Sequence, residues 1–327
     1  MSTLVTGIGI AVAGVGAPGD LLRPRQPESA PVEPRERLGR KGLRYKDRAT
    51  QLSYCAARDA LAEARLLDDD GRALHGDRIA VVASSNYGNL DTICRTVETI
   101  AAETASAASP MDLPNASSNV LASSVAIRFG LTGPNLMLCN GETSGTDAVR
   151  WALALLGSGR ADQVLVLGAE PDTVAARKLT GQDTAFDGAA ALLLETQRTA
   201  AARGARARAG IGGHARGAGL ADCLAGLGSH DARTPAAWQA PDTTGTGGVP
   251  DGVGTGMPDG AGVLDGVRDL GLARQWRGAS GALGVLQCAA SAGWFAAGGA
   301  SPVYAVTGGG TSGPAAGLVL VGPGEAG

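Results

Sequence analysis

The sequence predicts an α/β layered fold, and three observations carry that expectation. Apolar, strand-like runs alternate with segments of helical spacing along most of the chain. Its 327 residues are enough for one large domain, or two fused half-domains, with a substantial core. Its 51 glycines and 3% aromatic content require a core of Ala, Val, Leu and Gly packed with backbones close together.

The elements follow in chain order. Residues 3–12 are apolar with Gly punctuation and read as a buried strand, and the Pro-, Arg- and Glu-rich residues 17–40 read as a loop. Asp47 to Leu66 has helical spacing, with Ala56, Ala60, Leu61 and Ala64 on one face. Asp77–Ala83 is a strand, and Ser84–Asn89 turns into a helix carrying Ile93, Val97 and Ile100. Asn115–Phe129 reads as a helix. Gly133-Pro134-Asn135 is a turn before the short strand Leu136–Cys139. Asn140–Gly145 is a tight turn feeding a helix over Thr146–Leu156, and Gln163–Gly168 is a strand.

A second half is expected to open with the strand Gly188–Glu195, followed by another over Ala205–Gly212. Residues 241–265 are dense in Gly, Pro, Asp and Thr and read as a flexible loop. A helix over Leu283–Ala297 and strands near Val303–Thr307 and Ala316–Val321 complete the chain. The expected division is an N-terminal half over 1–170 and a shortened C-terminal half over 171–327.

Composition excludes several functions. A net charge of −3 gives no broad basic field, so nucleic acid is not an expected partner. Cys55, Cys94, Cys139, Cys223 and Cys288 form no CxxC pair and only three His are present, which argues against a zinc site or a disulfide framework. No cofactor motif stands out. No apolar run approaches the ~20 residues that cross a bilayer, and the N-terminus lacks a basic flank and cleavage site, so a cytoplasmic protein is expected, with no membrane partner.

Three stretches carry a family resemblance: Gly133-Pro134-Asn135, Gly141-Glu142-Thr143-Ser144-Gly145, and Ala161-Asp162 through Gly168-Ala169-Glu170. With Val5-Thr6-Gly7-Ile8-Gly9, Asp187-Gly188-Ala189-Ala190 and Gly309-Gly310-Thr311-Ser312, the chain resembles the β-ketoacyl synthases. The resemblance implies a thiolase-like fold, two similar halves stacked in α/β/α/β/α layers. It also implies that the strand Leu136, Met137, Leu138 and Cys139 lies at a dimer interface, flanked by the helix over 115–129.

The same resemblance locates what is missing. A condensing synthase uses a Cys nucleophile at a strand-to-helix turn, where helix N–H groups lower its pKa, and two His that assist decarboxylation. The Cys position is held here by Glu142. The first His position aligns with Thr244 of Thr244-Gly245-Thr246-Gly247, and the second with Gly278, three residues before Gly281-Ala282-Leu283-Gly284. The second Phe of the family's gating loop is Gly308. Together these losses point to lost condensation.

Blander readings stand beside these. Glu142 is either a functional acid or base, or a plug whose carboxylate the helix N–H groups keep ionised. Cys139 is a displaced nucleophile or a small core residue. His214 reads as a surface residue and His230 as part of a loop. Arg203, Arg206 and Arg208 read as a solvated strand face, or as a contact for an acidic carrier protein.

Three functions remain open. One is a non-condensing subunit like the chain-length factors of type II polyketide systems, paired with an active ketosynthase and an acyl carrier protein. Those factors usually carry Gln where Glu142 stands. Another is an acyl-carrier-linked enzyme using Glu142 as general base in cyclisation or acyl transfer. The third is a homodimeric scaffold that binds acyl chains or carrier.

Overall fold

The computed structural model describes residues 2–26, 28–242, 264–310 and 313–325. Its first strands and helices are β1 (Thr3–Val12), α1 (Pro34–Leu38), α2 (Arg48–Glu63), β2 (Ile79–Ser84), α3 (Leu90–Ala102), α4 (Val120–Phe129) and β3 (Asn135–Leu138). Then come α5 (Ser144–Gly157), β4 (Gln163–Glu170), α6 (Val174–Thr180), β5 (Gly188–Thr196) and α7 (Gln197–Ala202). The rest are β6 (Ala209–Gly217), α8 (Leu220–His230), β7 (Ala237–Gln239), β8 (Arg268–Asp269), α9 (Leu272–Gln275), α10 (Leu283–Ala296), β9 (Val303–Gly308) and β10 (Ala315–Val321).

The strands join in the order β3-β2-β4-β5-β1-β6-β10-β9-β7-β8. The first five strands and the last five repeat one pattern, mirrored about the β1–β6 pair. In each repeat the third strand pairs parallel with the second and the second with the fourth, while the fourth and the first run antiparallel to the fifth. β5 was expected to open the second half. Its hydrogen bonds to β4 and β1 make it instead the closing strand of the first repeat. A strand's place in a sheet is set by its partners rather than by its order in the chain.

Side-chain alternation produces the layers. Val164 and Val166 of β4 face one core with Ala190, Leu192 and Leu194 of β5, where α5 and α10 pack. Leu165 and Leu167, with Ala189, Ala191 and Leu193, face a second core under α2 and α4. In the second repeat, Leu318 and Leu320 share the central core, while Val319 and Val321 face a third core under α8. Five layers result, with α5 and α10 in the middle. Both faces of β1, β2, β4, β5, β9 and β10 are covered, which is why these strands read as continuous apolar runs.

At the centre, α5 and α10 touch backbone to backbone. A Cβ on Gly145 would lie 2.7 Å from the Gly281 carbonyl oxygen, and one on Gly284 would lie 2.4 Å from the Thr146 nitrogen. This contact supplies the close packing that the Gly-rich composition foreshadowed.

Several local readings change. The region 17–40 contains a short 3-10 helix over Pro18–Leu22 as well as α1. Arg203 follows α7 rather than lining a strand, and its guanidinium pairs with the fully buried Glu195. Arg208 stands just before β6 and pairs with Glu63 at 3.5 Å. His230 ends α8, and His214 lies within β6, half-buried, with the two rings stacked at 6.3 Å. The loop expected over 241–265 falls largely outside the described residues. Among the described residues, no helix is long and apolar enough to cross a membrane.

Candidate functional site

The turn between β3 and α5 holds Glu142. It is a 3-10 turn over Gly141–Thr143 that runs directly into α5. Ser144 and Asn140 tie the turn together: the Asn140 N–H donates to Ser144 Oγ at 2.7 Å, and Ser144 Oγ donates to Asn140 Oδ1 at 2.9 Å. Below them Asp147, almost fully buried, accepts from Asn140 Nδ2 at 2.7 Å and Thr143 Oγ1 at 2.9 Å, and pairs with Arg216 of β6. A carboxylate in the first turn of α5 also suits the positive end of the helix dipole.

Glu142 itself is half-buried, and among the described residues its carboxylate accepts no hydrogen bond. Burial pushes its pKa above the ordinary carboxylate value, and the charge of Asp242 pushes it in the same direction. The expected capping by helix N–H groups, which would hold it ionised, is therefore absent.

The second half supplies the opposite wall. The Gly278 N–H donates to Asp242 Oδ2 at 2.9 Å, with Gly278 at φ +73°, a conformation that disfavours any side chain. Glu142, Asp242 and Gly278 are thus gathered at one place by the two repeats. Thr244, two residues beyond Asp242, lies outside the described residues. Cys139 is exposed just past β3 rather than packed in the core. Partial desolvation and the charge of Glu170 hold its thiol up, in the protonated form, so it is not an activated nucleophile.

Beneath the turn, one carboxylate joins the two repeats. Glu170, at the end of β4, is fully enclosed. It accepts from the N–H groups of Asn86 (2.7 Å), Tyr87 (3.0 Å) and Gly281 (2.9 Å), and from Ser85 Oγ (3.1 Å). Burial pushes its pKa up to about 7 in spite of those four donors. Asn86 extends the link, donating from Nδ2 to the Gly141 carbonyl at 2.9 Å and to Ser280 Oγ at 2.8 Å. The loop after β2, the Glu142 turn and the Ser280–Ala282 turn are therefore one hydrogen-bonded unit.

Glu170 closes one of the stretches that carry the family resemblance, whereas Asn86, Asp147 and Asp242 stand in none of them. A carboxylate closing the apolar run Val164–Ala169 is a readable signal of a buried, partnered acid. Asp242 had no such signal.

The chemistry of this arrangement is that of carboxyl groups. Glu142 can hold or release a proton nearer neutrality than an ordinary carboxylate, whereas no thiol or imidazole stands beside it among the described residues. No group of His, Cys, Asp and Glu among the described residues is arranged to hold a metal ion. A cavity of about 10 Å³ between Ser85, Met137 and Cys139 has room for about one water, not for an acyl chain.

Residues 33–221 match the family model described as "Beta-ketoacyl synthase, N-terminal domain". The 3-oxoacyl-[acyl-carrier-protein] synthase 2 of Staphylococcus aureus (strain N315) is 28% identical over 203 residues, covering 55% of this chain and 48% of that protein. The chain spans about half the length of the curated relatives it matches. Among solved structures, the ishigamide ketosynthase/chain length factor aligns with a TM-score of 0.71 and 21% identity, covering 98% of this chain and 99% of that one. A type II PKS acyl-carrier protein in complex with its ketosynthase aligns with a TM-score of 0.68 and 16% identity, covering 98% and 99%. These likenesses identify the fold as thiolase-like, in two similar halves.

Proposed function

Because the chain belongs to the β-ketoacyl synthase family, we propose that it is a non-condensing, ketosynthase-like subunit that pairs with an active ketosynthase in polyketide or fatty-acid-like biosynthesis. The observation that carries this reading is the content of the β3–α5 turn. Where condensation needs a thiolate, the turn presents the Glu142 carboxyl, faced by Asp242 and by the side-chain-free Gly278. A carboxyl group is a poor nucleophile toward a thioester, and an ionised carboxylate repels a malonyl group.

The edge of the sheet supports pairing. β3 is the terminal strand, with unpaired backbone groups along one side. Leu136, Met137, Leu138 and Cys139 therefore remain the proposed interface. The helices α4 and α5 pack against β3, and they carry the exposed apolar side chains Ile127 (77%) and Trp151 (44%). Such an edge is stabilised by a second strand and a covering apolar surface. The partner would be a ketosynthase with an intact Cys, the pair would receive an acyl carrier protein, and both would work in the cytoplasm.

The test is co-expression with a ketosynthase encoded nearby. A stable heterodimer, together with no ketoacyl product from the isolated chain on malonyl- and acyl-carrier substrates, is the expected result. Product formed by the isolated chain would overturn the reading.

A second reading, Glu142 as general base, is favoured by its raised pKa and its unbonded carboxylate. The Glu142→Gln variant separates the two. A non-catalytic subunit keeps its fold, its partner and the product of the complex. A general base loses about 10²–10⁴-fold in rate. Product kinetics of the purified complex decide between them.

A further inference from the structure

A cleft of about 660 Å³ opens between α1, α2, α4 and the 70–72 turn, and its walls share no residue with the turn that holds Glu142. Its cations are Arg37, Lys41, Lys46, Arg58, Arg72 and Arg128, against one lining carboxylate, Asp70. Two of the chain's three lysines line this single cleft, although the protein carries a net charge of −3.

Arg37 and Arg58 are matched by Asp59, at 3.6 and 2.6 Å. Lys41, Lys46, Arg72 and Arg128 have no carboxylate within ion-pair distance among the described residues. Two of these four are held in place. Lys46 Nζ donates to Ser124 Oγ at 2.9 Å, and the Arg128 guanidinium stands 4.8 Å over the Tyr54 ring and donates to the Lys41 carbonyl at 3.3 Å. Lys46 and Arg128 are half-buried, while Lys41 and Arg72 are exposed at the rim. Tyr54 and Phe129 meet edge to face, with centroids 6.5 Å apart, and belong to the buried core beneath the cleft, where they fix its floor.

We propose that this cleft binds a small phosphate-bearing anion, a pyrophosphate or an organic phosphate ester. Cations gathered without counter-charges repel one another, and a multivalent anion removes that repulsion while satisfying their donors. Guanidinium forks match phosphate oxygens two at a time, and an ammonium adds a point charge. The volume lies within the about 300–1,000 Å³ of small-molecule sites. Concavity favours a small ligand over an acidic protein surface, because only a group that enters the cleft reaches the recessed Lys46 and Arg128 along with the rim cations. This site is independent of the reading given for Glu142.

Isothermal titration of the full chain with inorganic pyrophosphate at low ionic strength tests the proposal. Saturable one-site binding that weakens as salt is added is expected. The double variant Lys41→Ala/Arg72→Ala changes only exposed side chains and should weaken binding about 10–100-fold, whereas Lys178→Ala should leave it unchanged. Thermal unfolding of each variant without ligand confirms that the fold is intact. Absence of saturable binding, equal affinity in the double variant, or binding of an acidic carrier protein without any binding of pyrophosphate would each overturn it.

Discussion

The Glu170→Ala variant is expected to lose about 3–5 kcal/mol of folding stability near pH 5. The substitution removes the acceptor of three backbone N–H groups and one hydroxyl, from the loop after β2 and from the Ser280–Ala282 turn, in a fully enclosed place. Buried donors left without a partner cost more than the bonds contribute. The loss should also depend on pH. The folded carboxyl is raised from 4.5 to about 7, so the folded state binds the proton more tightly than the unfolded chain. The stability this group contributes is therefore complete below about pH 4.5 and is lost as pH rises through about 7, a change of about 3 kcal/mol. Denaturant midpoints of the wild-type protein should fall between about pH 5 and about pH 8 by that share, and the variant should lack it. The deficit of Glu170→Ala should thus be smaller at the higher pH. An equal deficit at both values would show that Glu170 does not titrate in this window.

The Gly284→Ala variant is expected to lose about 3 kcal/mol or more. Its new methyl would lie 2.4 Å from the Thr146 nitrogen and 2.8 Å from the Gly145 carbonyl carbon, both backbone atoms of α5. Neither can yield unless the two central helices separate, which opens the largest core cluster and shifts the Glu142 turn at the start of α5. Gly157→Ala, at the other end of α5, is the control. Nothing lies within 4 Å of its added methyl, so it should be neutral, or stabilising by up to about 1 kcal/mol. Thermal unfolding of the two variants side by side measures the difference. A Gly284→Ala protein as stable as Gly157→Ala would mean that α5 and α10 do not meet as described.

The legible parts of this protein were those written in local spacing. β1, β2, β4 and β5 announced themselves because strands covered on both faces are continuous apolar runs, and α2 because Asp47 caps it through Thr50 N at 2.7 Å ahead of a regular apolar face. The β3–α5 turn was readable for the same reason, since a strand, a Gly-containing turn and a helix follow one another directly. α6, α7, α8, β7, β8 and α9 were not read, and the start of β6 was misplaced by Arg203, Arg206 and Arg208. Those segments are short or rich in Ala and Gly, and such composition shows little contrast between a buried and an exposed face.

The sequence by itself determined the layered α/β class, the alternation that builds it and the presence of a carboxylate at the β3–α5 turn. Each of these is a local property, encoded in period, capping and turn residues within a few positions of one another. Only the tertiary structure decided that β5 closes the first repeat, that burial, with the charge of Asp242 beside it, raises the pKa of Glu142, and that Glu170 holds two turns from opposite halves. Those relations join residues far apart in the chain. They arise from how α5 and α10 pack between the two repeats, and no periodicity along the sequence reports which distant residues that packing brings together.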